Sequence, residues 1–161
     1  MTADLRAALQ SSLGPAFVLG RELGGGGMSR VFVAEDGALR RQIVVKVLPE
    51  EMAVELSLAR FQREITLAAR LQHPHIVPLL SSGEVDGTPY FTMPFVEGES
   101  LRARLARVGE LPIPDPVRLI RQVASAVSSA PKHGGVQPDI KPHNVTHRDA
   151  FAPAHARAAS N

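Results

Sequence analysis

The 161-residue chain carries 18 Lys and Arg against 16 Asp and Glu, a formal net charge of +2. That charge is too small to suggest a nucleic-acid or anionic-membrane surface. Hydrophobic residues at 44% place the chain among globular proteins, and one domain is the expectation at this length. Without cysteine there are no disulfides, thiol nucleophiles or cysteine-based zinc sites. No stretch approaches the ~18 apolar residues of a membrane span. Asp4 falls where a signal peptide would have its apolar region, so a soluble cytoplasmic protein is expected.

In chain order, Leu5, Ala8, Leu9 and Ser12 share one helical face, predicting a short amphipathic helix over Thr2–Ser12 that ends at Gly14-Pro15. Phe17 to Leu23 reads as a strand running into four glycines, Gly24 to Gly27. Val31 to Val33 resumes the strand pattern, and Asp36-Gly37 marks a turn. Ile43 to Leu48 is apolar except for Lys46 and stops at Pro49. From Glu51 to Gln72 the period changes: Leu58, Phe61, Ile65, Ala68 and Leu71 predict a long helix, ended by His73-Pro74. Ile76 to Leu80 and Pro89 to Val96 read as two strands around Asp86-Gly87. A short helix is expected from Ser100, and a longer one from Asp115-Pro116 with the stripe Val117, Ile120, Val123, Ala124 and Val127. The last dozen residues contain six alanines and no core pattern, and read as an unstructured tail.

Four glycines between two strands leave backbone N–H groups free to approach an anion, although an ordinary flexible hairpin has the same composition. A dinucleotide fold needs a helix here, but Arg30-Val31-Phe32-Val33 continues as strand. No Gly-Lys-Ser/Thr follows either, which excludes a P-loop. Lys46 is one of only three lysines and lies among branched apolar residues. An ammonium there either snorkels at an edge or faces a carboxylate or phosphate, because burying it alone is costly. Glu64, between Phe61 and Ile65 on the long helix, is the candidate carboxylate; a plain surface glutamate is the alternative.

With the glycine loop, strand lysine and helix glutamate in this order, the chain resembles bacterial serine/threonine protein kinases of the eukaryotic type. Leu23-Gly24-Gly25-Gly26-Gly27-Met28-Ser29-Arg30-Val31 is similar to the family's G-x-G-x-x-G-x-V loop, with Ser29 in place of the third glycine. Ile43 to Lys46 resembles V-A-I-K, with Val44 adding two methyl groups to the expected adenine roof. Arg63-Glu64 and Leu71 to Val77 resemble the family's C helix and the loop after it, and Met93 to Gly98 resembles the hinge, with Met93 as gatekeeper. The resemblance implies that the loop amides cover the phosphates of ATP and that Lys46, oriented by Glu64, holds the α- and β-phosphates. It also implies that the Pro94 carbonyl and the Val96 N–H bond the adenine.

Further on, Gln137-Pro138-Asp139-Ile140-Lys141-Pro142-His143-Asn144 resembles H-R-D-x-K-P-x-N. By that resemblance Asp139 is the catalytic base, Lys141 its companion and Asn144 a Mg²⁺ ligand. Pro138 and Gln137 depart from the family's arginine and histidine. The literal His147-Arg148-Asp149 is a decoy, because Phe151 and Ala154 stand where lysine and asparagine belong. Seventeen residues come after Asn144, and they contain neither D-F-G nor A-P-E.

The expected fold is therefore α+β. A kinase-like N-lobe (17–97), with a five-stranded antiparallel sheet and the C helix, follows an N-terminal helix and linker (1–16). After it come a partial C-lobe with helices D and E and the catalytic loop (98–145), and a disordered tail (146–161). The expected function is that of a truncated kinase domain with ATP, an incomplete Mg²⁺ site, and a protein substrate or docking partner. The alternatives are a pseudokinase-like binding module, self-associating through the exposed face of the last long helix, and a gene fragment without function.

Overall fold

The computed structural model of the chain describes residues 2–23, 29–49, 58–129, 140–142 and 144–147. These fall into two compact units, Met1–Phe95 with Pro112–Pro138, and Val96–Leu111 with Asp139–Asn161.

The first unit opens with helix α1, Thr2–Leu13. Gly14 ends it at φ 78°, a backbone conformation that glycine adopts without strain, and its N–H closes on the Gln10 carbonyl at 3.2 Å. Strands β1 (Phe17–Leu23), β2 (Arg30–Asp36) and β3 (Arg41–Val47) come next, then helix α2 (Leu58–Ala69), β4 (Ser81–Val85) and β5 (Thr88–Pro94). They form the expected five-stranded antiparallel sheet, in the order β1-β2-β3-β5-β4. Asp86 and Gly87 both have positive φ, which is the two-residue hairpin that an Asp-Gly pair between strands predicts. At the β2–β3 turn the buried Asp36 accepts from the Leu39 N–H and the Arg41 guanidinium.

β4 begins at Ser81, not at Ile76 as expected. Pro78 lacks a ladder donor, and the pairing reaches back only to the bond from the Leu80 N–H to the Thr92 carbonyl, 2.9 Å. The long expected helix is seen as α2 over Leu58–Ala69; residues 51–57 of the expectation lie outside the described residues.

One face of the sheet is the core. Phe32, Ala34, Ile43, Val45, Val47 and Tyr90 are buried on it, and α1 lies across them with Leu9 at 0% exposure and Leu5, Ala8 and Leu13 around it. α1 packs on β1 and β4, the two outermost strands, so a single helix joins both edges of the sheet. Its Ser12 hydroxyl reaches the Glu84 carbonyl at 3.0 Å and the Tyr90 hydroxyl at 3.1 Å.

In the second unit β6 (Glu99–Ser100) leads into helix α3, Leu101–Val108, for which Ser100, the expected helix start, is the N-cap. β6 pairs with β7 (Thr146–His147), so the first two residues assigned to the tail are a strand; their backbone groups are taken up by Glu99 and Ser100.

Helix α4, Pro114–Ser129, belongs to the first unit, although the sequence groups it with 98–145. The His73 ring and the Ser125 hydroxyl, 3.1 Å apart, tie it to the segment after α2. It starts one residue before the expected Asp115, whose carboxylate instead pairs with Arg118 in the first turn. Its apolar stripe is open to solvent, with Ile120 66% exposed and the preceding Ile113 84% exposed.

Because Leu9 is wholly enclosed, Leu9→Ala should remove about 2–5 kcal/mol of stability, measured as a shift of the urea midpoint.

Candidate nucleotide site

The strand register decides which candidate residues meet. Leu23, Val31, Lys46 and Phe91 are successive cross-strand partners over β1, β2, β3 and β5. Val33, Val44 and Met93 form the neighbouring row. Side chains alternate along a strand, so both rows project on the same face, opposite the one that α1 covers. Five residues singled out from the sequence (Leu23, Val31, Val44, Lys46 and Met93) are thereby assembled from four strands.

Within this face Lys46 is half-buried, and its Nζ stands 5.9 Å from the centre of the Phe91 ring, in cation–π range. Val44 is only 9% exposed between Val33 and Met93, so the added methyl groups are largely sunk among neighbours. Glu64 is half-buried on α2, one turn after the buried Phe61. Ser29, also half-buried, immediately precedes β2. Gly24 and Gly26 lie outside the described residues.

The segment 24–28 is flanked by a charged pair. Arg30 donates through Nε and Nη2 to the two carboxylate oxygens of Glu22, at 2.9 and 2.8 Å, so the end of β1 is clamped to the start of β2. The guanidinium also lies 5.1 Å from the Phe32 ring centre. The hydrogen bonds from Arg30 hold the Glu22 carboxyl below the usual carboxylate range, and Glu22 in turn raises Arg30. Sequence reasoning missed this pair, as it missed Val33 and Phe91. The signal for the latter two was the two-residue period from Val31 and Met93.

At the other end of the face, Pro94 pairs with Ile43, and the Phe95 N–H continues the ladder to the Gln42 carbonyl at 3.2 Å. Val96 opens the second unit and is half-buried there.

In that second unit the Lys141–Asn144 segment is a tight turn, closed by the bond from the Asn144 N–H to the Lys141 carbonyl at 2.8 Å. The start of α3 anchors it. The Leu101 N–H donates to the Val145 carbonyl at 2.8 Å, the Arg102 N–H to Pro142 at 3.1 Å, and the Ala103 N–H to the Ser100 hydroxyl at 3.1 Å. A helix start has donors without intrahelical partners, and here two of them fix the turn that carries Lys141 and Asn144. Both side chains are exposed, and Asp139 lies outside the described residues.

A flat apolar heterocycle fits against Leu23, Val31, Val44 and Met93, and an anionic group fits the Lys46 ammonium on the same face. The residues present therefore suit a nucleotide.

Comparison with known proteins bears on the family and the fold. The family described as "Protein kinase domain" matches residues 17–150. The serine/threonine-protein kinase PknE of Mycobacterium tuberculosis is 39% identical over 145 residues, covering 89% of this chain and 25% of the relative. PknH of the same organism is 40% identical over 144 residues, covering 88% and 23%. The chain thus spans about a quarter of the length of these curated relatives. Among solved structures, the PknI kinase domain of M. tuberculosis superposes with a TM-score of 0.71 at 32% identity, over 82% of this chain and 54% of that one.

The Glu22–Arg30 clamp has a defined pH window. A carboxyl whose folded pKa is depressed contributes stability above its unfolded pKa and loses it as pH falls through the folded value. The melting difference between the wild type and Glu22→Gln should therefore be constant near neutral pH and vanish well below roughly pH 4. It should also be modest, because both side chains touch solvent.

Proposed function

Because the chain belongs to the protein kinase domain family, we propose that it binds ATP on the sheet face formed by Leu23, Val31, Val44, Lys46 and Met93. The carrying observation is the register: it sets four apolar residues and one ammonium on a single face, while α1 occupies the other. In this reading Gly24, Gly26 and Ser29 belong to the loop over the phosphates, and the Pro94 carbonyl and Val96 N–H bond the adenine. Lys46 neutralises phosphate charge, with Glu64 orienting it. The reading needs a compartment supplied with ATP, which is the cytoplasm; among the described residues no helix is long and apolar enough to cross a membrane.

For transfer to a protein serine or threonine, Asp139 would take the hydroxyl proton with Lys141 as its companion, and Asn144 would hold Mg²⁺. The metal supplies charge neutralisation when bound. The 161 residues contain no D-F-G, whose aspartate is the family's other metal ligand. This chain on its own is therefore expected to bind nucleotide with little help from Mg²⁺ and to transfer phosphate very poorly. Isothermal titration with ATP, with and without Mg²⁺, tests the binding. Lys46→Ala should weaken affinity about 10- to 100-fold, as expected for losing bonds to a charged group. Unchanged affinity in that variant would sink the reading. Robust autophosphorylation dependent on Mg²⁺ and Lys46 would overturn the expectation of poor transfer.

The open apolar stripe of α4 favours a second reading, in which two copies of the chain associate through that helix. Sedimentation velocity should then show a dimer that Ile120→Asp dissociates; a monomer at every concentration refutes it.

A further inference from the structure

Among the described residues β1 is an edge strand, and no described strand pairs with the backbone groups on its outer side. Two side chains of α1 take that place. The Gln10 carboxamide accepts from the Leu19 N–H at 2.8 Å and donates to the Phe17 carbonyl at 2.8 Å, as a neighbouring peptide group would. Arg6 donates through Nη2 to the Leu19 carbonyl at 2.9 Å and to the Gly20 carbonyl at 2.6 Å.

The second contact is informative. Successive carbonyls of a regular strand point to opposite sides, so one nitrogen cannot serve both. They converge here because β1 is bulged: Leu19 faces Ala34 and Glu22 faces Phe32, three steps on β1 against two on β2. Gly20 permits the bulge, since a Cβ at this position would lie 2.9 Å from the Val33 carbonyl oxygen. A bulge re-aims the part of the strand beyond it. Here that part is Glu22 and Leu23, which lead directly into the glycine run. Arg6 therefore grips the point at which the direction of the loop-bearing end of β1 is set. It does so from the side of the sheet away from the nucleotide face.

Resting on the ATP-binding reading above, we infer that Arg6, with Gln10, is a positioning residue for the nucleotide loop, which makes the N-terminal helix a remote determinant of ATP affinity. Among the described residues, the hydrogen bonds of Arg6 go to the Leu19 and Gly20 carbonyls at the bulge and not to a residue of the proposed site. The same helix supplies an internal control, because Ser12 ties it to Glu84 and Tyr90 at the opposite edge.

The experiment compares full-length wild type, Arg6→Ala, Arg6→Lys and Ser12→Ala by ATP titration, thermal melting and amide hydrogen exchange. Arg6→Ala should raise the Kd for ATP about 3- to 10-fold, the scale of one or two net hydrogen bonds. It should also speed exchange at Glu22 and Leu23, and Arg6→Lys should recover much of both effects. Ser12→Ala should lower the melting temperature while keeping the Kd within about twofold of wild type. The inference is overturned if Arg6→Ala melts earlier but binds ATP as wild type does, or if Ser12→Ala weakens binding equally. If the wild type binds no ATP, the proposed function fails. The positioning role is then decided by exchange alone: faster exchange at Glu22 and Leu23 in Arg6→Ala than in Ser12→Ala upholds it, and equal rates refute it.

Discussion

Leu9 is fully enclosed, and the enclosure requires α1 to lie flat on the sheet with Phe32, Ile43, Val45 and Val47 beneath it. A five-stranded sheet of apolar strands has two faces to cover, and an isolated sheet of this size exposes both. By closing one face with a twelve-residue helix, the chain leaves the other for Val31, Val44, Lys46 and Met93. The placement of the lysine comes from the same constraint. Were β3 shifted by one residue, Lys46 would enter the α1 core and Val45 would replace it on the nucleotide face. The cost of burying an unpaired ammonium beside Leu9 keeps the register as it is.

The helix also meets a second need of the sheet. An unpaired edge strand invites association with other chains, and β1 lies at such an edge among the described strands. Gln10 and Arg6 satisfy its outer backbone groups with side chains, so the strand next to the glycine loop is held without a sixth strand. In the second unit a helix end does comparable work. The first donors of α3 are met by Val145 and Pro142, and satisfying the helix start shapes the turn bearing Lys141 and Asn144.

Much of this was legible from residue order. The run of Lys46 among branched residues, the Asp86-Gly87 hairpin, the helix start near Ser100 and the three- and four-residue period through Phe61 and Ile65 are local signals, each readable within a few positions. The expected strand at Ile76 failed because an apolar run with Pro78 inside it satisfies composition but not the ladder. The strand at Thr146–His147 was missed because two residues carry no period, and its partner, Glu99–Ser100, is remote in the chain.

The amino-acid order by itself determined the family, most of the strands and helices, and the residue types that a nucleotide requires, since these rest on chemistry and spacing within short segments. Only the tertiary structure decided which strand rows share a face, that α1 bridges both edges of the sheet, and that Arg6 holds the bulge at Gly20. Those features depend on hydrogen bonds between residues as far apart as Ser12 and Tyr90. Such bonds form only once the apolar face around Leu9 has collapsed and drawn the segments together.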